Sequence, residues 1–157
     1  MEQRRAAGAV DGAPAWFGEP TFGQRVLAAM VDLLAFLVVS FLLLQVPLAL
    51  GAQRLLWTTV NALYLILATA LTGQTLGKRL LGIRVVDVAT GELPGLRAAV
   101  IRWAVIALPL LVGWISPAVA SYTGWFSFAA YVPILKAPQH RGVHDLVAGT
   151  IVTRVRD

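Results

Sequence analysis

Long apolar stretches dominate the chain. Residues 26–52 contain a single ionised side chain, and residues 55–72 and 103–135 contain none. Apolar runs of about 18 residues or more are typical of helices that cross the roughly 30 Å hydrocarbon core of a bilayer. The pattern therefore predicts an all-α membrane protein, built as a bundle of about four transmembrane helices.

Breaks between the apolar stretches divide the chain into four predicted spans, at about residues 26–50, 55–72, 98–115 and 117–135. A short turn at Arg54 separates the first two spans, and Ser116-Pro117 separates the last two. The third stretch reaches span length only when it includes Arg102. A re-entrant hairpin or a three-span arrangement therefore stays open as an alternative.

The connection between the second and third spans is polar and rich in glycine. Residues 74–81 have the pattern of a short amphipathic helix at the cytoplasmic membrane interface. Residues 83–88 are rich in β-branched side chains, as are residues 150–155, and both segments predict strands that pair into a small β ribbon. The interfacial basic residues of this connection, expected near lipid phosphates, are Lys78, Arg79 and Arg84.

Basic residues are distributed very unevenly about the four predicted spans. Of the 13 Lys and Arg residues, only Arg54 falls on the side opposite the two tails and the central connection. By the positive-inside rule, both termini are expected in the cytoplasm of a multi-pass plasma-membrane protein, with residues 1–19 as a flexible tail. This topology also explains the formal net charge of +5, so the predicted partners are the bilayer and its anionic headgroups, not nucleic acid.

Asp32 is the only acidic residue inside a predicted span. Its charge there costs at least ~2.5 kcal/mol on insertion scales and needs a partner. If the first span begins near Val26, Asp32 lies on the order of 9 Å into the inner half of the membrane. We expect Asp32 to face the bundle and to pair with Arg102, at similar depth, or secondarily with Arg25. Two roles stay open for it, a structural ion pair and a proton or ion path.

Catalytic and metal-binding patterns are absent from the sequence. The segment from Gly73 to Arg79 differs from a phosphate-binding loop in its glycine spacing and in placing an arginine where Ser or Thr would bind magnesium. His144 and Asp145 are adjacent, and neighbours on a helix point apart, so Asp145 is expected to cap a helix or pair with basic groups. With no cysteine and no catalytic constellation, neither an enzyme, a cofactor nor a metal site is predicted.

Three separated motifs occur in order along the chain, with Arg102 between the second and the third. They are QRVLAAMVD from Gln24, GQTLGKRLLGIRVVD from Gly73 and RGVHDLVAGTIV from Arg141. Together they resemble the RDD family of bacterial integral membrane proteins. The resemblance implies a membrane domain over residues 20–155. It also implies that the family's one arginine and two aspartates are Arg25, Asp32 and Asp145.

The resemblance leaves the activity open, because transport of unidentified ligands is only suggested for the family. The residues predicted to form an inner-side polar cluster are Arg25, Asp32, Arg102, Asp145 and His144. One hypothesis is transport of a small solute or ion, which requires a homo-oligomer or larger complex because four short spans leave a monomer little room for a path. The alternative is a non-catalytic accessory or scaffold subunit that binds anionic lipid or a protein partner.

Overall fold

The computed structural model describes residues 18–116 and 141–155, together with residues 118, 119, 122, 123, 125 and 129. Its helices and strands, in chain order, are α1 (Phe22–Leu44), α2 (Leu50–Thr72), α3 (Leu76–Leu80), β1 (Ile83–Asp87), α4 (Gly95–Ile115), α5 (Val143–Ala148) and β2 (Thr150–Arg154). Within the described residues, α1, α2 and α4 are long and apolar enough to cross a membrane. The chain is therefore a mostly helical membrane protein with three candidate spans in that part.

Capping and turn geometry shift the span boundaries from those expected. α1 begins at Phe22 because the Thr21 hydroxyl accepts the Gln24 amide at 3.2 Å, while the Gln24 side chain accepts the Thr21 amide at 3.0 Å. α2 begins at Leu50, so Arg54 lies inside its first turns and the expected turn at Arg54 was wrong. α4 reaches span length with Arg102 inside it, as the sequence required.

The fourth predicted span, residues 117–135, lies outside the described residues except for isolated positions. Ser116 caps the far end of α4, whereas Arg141 lies beside the strand β2. Residues 1–17 of the expected tail are also outside the described part. Gly18 accepts the Arg154 amide at 2.8 Å, so both described ends of the chain lie on one side of the bundle.

The predicted β ribbon is confirmed and lies against the spans. β1 and β2 pair antiparallel, with Val85 opposite Val152. Ile83, Val85 and Val152 bury their side chains against Ala28 of α1. We call α3, β1, α5 and β2 together the platform, because they form one layer at this end of the bundle, where α3 contacts α1 and α5 contacts α4.

The short helix predicted between the second and third spans is present as α3, which packs on α1 and is hydrogen-bonded to α2. Gly77 is buried so closely against α1 that an added Cβ would lie 2.0 Å from the Ala28 carbonyl oxygen. The Leu76 amide donates to the Tyr64 hydroxyl of α2 at 2.7 Å. Tyr64 lies about 12 Å along the helix axis from the end of α2. α3 therefore lies against α1 and begins at a hydrogen bond to α2, while its Leu76, Arg79 and Leu80 side chains are exposed.

Burial in α1 is the reverse of burial in a soluble helix. Its buried residues are Arg25, Ala28 and Asp32, which are spaced along one face, while most of its large apolar side chains are exposed. Exposed leucine and valine need no protein partner where the surroundings are hydrocarbon, but charged groups do. The polar stripe, not the apolar surface, therefore determines which face of α1 meets the platform.

The contact between Gly77 and Ala28 predicts a sharp glycine requirement. Gly77→Ala forces α3 away from α1 and should lower the free energy of unfolding by about 1–3 kcal/mol or more, as overpacking does. Gly51→Ala is the matched control, because nothing lies within 4 Å of its added Cβ in α2, and it should be neutral or slightly stabilising. Thermal unfolding in detergent measures both, and equal melting temperatures for the two variants would contradict the packing described.

Candidate functional site

Arg102 and Asp145 form a buried ion pair between α4 and the platform. The Arg102 Nη1 group donates to the Asp145 carboxylate and to the Thr150 hydroxyl. The other Asp145 oxygen accepts the Gly142 amide at 3.1 Å, which caps the start of α5. Thr150 also donates to Asp145 at 3.3 Å. One carboxylate thus joins a span, a helix and a strand.

The charge state of Asp145 follows from this set of donors. Burial, the largest single effect, opposes ionisation, but the charge and hydrogen bond of the Arg102 guanidinium, His144 and the Gly142 amide together outweigh it and hold the pKa of Asp145 well below its usual range. Arg141 adds a second cation at the edge, donating from Nε to the Thr150 carbonyl at 3.1 Å and from Nη2 to the Asp145 carbonyl at 3.3 Å. Asp145 is therefore an anion at neutral pH.

Asp32 is buried as expected, but the predicted pairing with Arg102 or Arg25 was wrong. Its carboxylate accepts the Thr75 hydroxyl at 2.5 Å and the Gly77 amide at 2.8 Å. The reason is that α3 folds back onto α1 and brings two donors to the Asp32 carboxylate. Arg102 instead pairs with Asp145, because α5 packs on α4. Short hydrogen bonds to an ionised group are strong enough to hold a carboxylate in such a place.

Arg25 connects α1 to the ribbon. Its Nη2 group donates to the Val152 carbonyl of β2 at 3.1 Å, and its side chain is buried. Arg25 also lies within electrostatic range of Asp145 and Arg102. The structure thus brings four of the five predicted cluster residues, Arg25, Arg102, Asp145 and His144, to one place, with Asp32 at its edge beside α3.

The three predicted interfacial basic residues have different surroundings. Arg79 is exposed, whereas Arg84 is half-buried with its stem over Gly73, where an added Cβ would lie 2.7 Å from the Arg84 Cγ. Lys78 points to the cluster, and its ammonium group donates to the Thr75 hydroxyl at 3.3 Å. Burial lowers the pKa of Lys78 to about 8, and repulsion from Arg102 adds to this effect. Arg79 is thus the member of the set most available to a headgroup.

His144 is a buried neutral side chain next to the ion pair. Its Nε2 atom lies 3.4 Å from Asp145 Oδ2, so these sequence neighbours meet, contrary to the expectation that they point apart. The approach follows from Asp145 turning back to cap Gly142 at the start of a six-residue helix. Burial lowers the pKa of His144 to about 4, despite the attraction of Asp145. In the described part of the chain, no three His, Asp or Glu side chains are grouped to hold a metal.

A comparison with known families identifies the family of the chain. The model of the RDD family matches residues 19–149. The chain belongs to the RDD family. The match contains Arg25, Asp32 and Asp145, and it ends just before β2. No curated protein and no solved structure matches the chain.

Several residues that complete this RDD site were not predicted from the sequence. Thr75 and Thr150 supply the hydroxyl groups that bind Asp32, Asp145 and Arg102. Thr75 stands at the N-cap position of α3, where hydroxyl side chains are common, and that position is a usable signal. Thr150 has only its β-branched character, which indicates a strand but not a bond to a guanidinium.

The Arg102–Asp145 pair of this RDD protein should be strongly coupled in stability. Asp145→Asn or Arg102→Gln leaves a buried charge without its partner and should cost about 3–5 kcal/mol each, while the double variant should cost clearly less than the sum. Unfolding in detergent, followed by a double-mutant cycle, measures the coupling. Arg97→Gln, at an exposed position of α4, should change stability by no more than about 0.5 kcal/mol. Additive losses would show that the pair contributes no coupling.

Acid should destabilise the protein through His144. Because its pKa is about 4 when folded and 6.5 when unfolded, the unfolded chain binds the extra proton between these values, and stability falls as the pH falls through that window. The contribution of Asp145 to stability is lost only when the pH falls below 3.8, the ordinary pKa of an aspartate. Melting temperatures measured from pH 7 to pH 4.5 should therefore decrease in the wild type. In His144→Gln the decrease should be smaller, and an unchanged slope would refute the assignment to His144.

Proposed function

We propose that this RDD protein is a non-catalytic scaffold subunit of the plasma membrane, whose polar cluster fastens a cytoplasmic platform to the spans. The observation that carries the proposal is that both aspartates of the cluster are fully engaged by internal donors. Asp32 binds Thr75 and Gly77, and Asp145 binds Arg102, Thr150 and Gly142. Groups held in this way are suited to fixing one geometry.

Three separate links between span and platform support this role. Arg25 joins α1 to β2, Asp32 joins α1 to α3, and Arg102 joins α4 to both α5 and β2. Each link places a charged group of an apolar helix against a polar group of the platform. Because an unsatisfied charge is costly at membrane depth, the three links favour a single arrangement of the platform on the spans.

The exposed basic residues of the platform and its flanks suit an anionic lipid surface as the partner. The exposed members are Arg79, Arg97 and Arg154. Each basic residue near an anionic leaflet contributes about 1 kcal/mol to its attraction. Cytoplasmic placement of the platform is part of the proposal and rests on the distribution of 13 basic residues, of which only Arg54 belongs to the opposite side.

Transport of a proton or small ion through an oligomer is the second candidate, and one observation favours it. The Lys78 ammonium donates to the Thr75 hydroxyl, which in turn donates to Asp32. This chain joins a lysine of lowered pKa to a carboxylate inside α1. A hydrogen-bonded chain of titratable groups is the arrangement that proton relays use.

Reconstitution into liposomes separates the two functions. If the protein is a scaffold, wild-type proteoliposomes should show no proton or ion flux above empty liposomes, and Asp32→Asn should lower the melting temperature because the Thr75 bond to an ionised acceptor is lost. A loss of about 1.5–3 kcal/mol is expected for bonds to a charged group. Glu92→Gln, the same type of change at an exposed loop position, is the control and should change neither quantity.

The opposite outcome is equally clear. Flux in the wild type that disappears in Asp32→Asn, while that variant stays folded and keeps its melting temperature, would refute the scaffold proposal and establish a conducting role for the Asp32 chain. Thermal unfolding and size-exclusion chromatography on the same preparations show whether each variant is folded.

A further inference from the structure

An apolar groove runs along α1 beside the start of α3. It begins at Val31, one residue before Asp32, and ends at Val39, about 12 Å further along the helix axis and away from the platform. The described residues that line it are all apolar, and they are Val31, Leu34, Ala35, Val38, Val39 and Leu76. None of the other described helices contributes to its lining, and its apolar walls suit the acyl chain of a lipid.

The exposed face of α3 extends this groove onto the platform. Leu76, Arg79 and Leu80 are all exposed, and their spacing of three and four residues places them on the same side of the helix. Arg79 therefore follows the inner end of the groove by one helical turn. Among the described residues, its guanidinium has no hydrogen bond or ion pair, whereas Lys78 on the opposite side points to Thr75. The apolar groove thus ends at the available guanidinium of Arg79.

We infer that this groove and Arg79 form a binding site for one anionic phospholipid, with an acyl chain along α1 and the phosphate on Arg79. The inference rests on the proposed function, in which the basic side of the platform meets anionic lipid, and it names the place. A guanidinium presents paired donors that match phosphate oxygens. The excess of cations over acids behind α3, with Arg25, Lys78 and Arg102 near two carboxylates, adds to the attraction for an anion.

Two other occupants fit the same surface less well. A second copy of the chain, docked across the groove by two-fold symmetry, would bring two Arg79 side chains towards each other and oppose like charges. An extended peptide would carry backbone polar groups into hydrocarbon without partners. A phospholipid has an apolar chain of the right shape and a negative group at the right end, which is the complement that the groove and Arg79 require.

Native mass spectrometry of the detergent-purified protein tests the site with phosphatidylglycerol and phosphatidylcholine as probes. The wild type should retain one phosphatidylglycerol in preference to phosphatidylcholine. Ala35→Trp fills the groove and should weaken this binding by about tenfold or more, a change of about 1.4 kcal/mol per factor of ten. Ala29→Trp is the matched control on an exposed part of α1 outside the groove and should bind as the wild type does.

The headgroup half of the site has its own pair of variants. Arg79→Gln should abolish the preference for phosphatidylglycerol, while Arg54→Gln, on the side opposite the platform, should keep it. If Ala35→Trp does not give a folded protein, Val38→Trp fills the same groove, with Leu37→Trp as its exposed control. Each variant is compared only after thermal unfolding shows that it is folded, and its elution volume reports its oligomeric state.

The outcomes distinguish the site from the broader function. A wild type that binds both lipids equally would overturn both the lipid partner of the proposed function and this site. If Arg79→Gln loses the preference but Ala35→Trp and Val38→Trp keep it, the basic surface binds lipid and the groove does not. If filling the groove converts an oligomer to a monomer and leaves lipid binding intact, the occupant is a second copy and the inference falls.

Discussion

The structure depends on one constraint, the need to give each buried charged group of α1 and α4 a protein partner. Hydrocarbon accepts the exposed leucines and valines of α1, α2 and α4 without further contacts, so these side chains do not select a neighbour. Arg25, Asp32 and Arg102 do select one, because each is buried and each binds a particular group of the platform. The charges therefore carry the specificity that a packed core provides in a soluble domain.

Gly77 shows how closely this constraint is tied to backbone shape. Asp32 accepts the Gly77 amide at 2.8 Å only because α3 approaches α1 within a distance that excludes a side chain. Gly73, at a positive φ of 67°, ends α2 and turns the chain back so that α3 can reach this position. The two glycines and the carboxylate thus act together. The backbone conformation at the glycines brings the Thr75 hydroxyl and the Gly77 amide to Asp32, and the carboxylate binds both.

Sequence reasoning predicted the features that have a local signal. It failed for contacts that form only when the chain folds back on itself. The described spans follow from hydropathy, and the ribbon follows from two β-branched segments expected on one side. The partner of Asp32 did not follow, because charge and depth suggested Arg102, whereas the actual donors, Thr75 and Gly77, come from the start of α3, which folds back onto α1. The meeting of His144 with Asp145 likewise depends on a cap at Gly142, not on helical spacing.

The arrangement of charges also bears on how the platform meets the membrane. Lys78 and Arg79 are adjacent, yet one points into the cluster and the other faces outward. Lys78 lies behind α3 and adds a positive charge to the cluster. Its pKa of about 8 reflects both its burial and the cations around it. The outward Arg79 places its own positive charge at the end of an apolar groove. A single turn of helix, held at its start by Asp32 and Tyr64, thereby connects the buried polar cluster with the lipid surface.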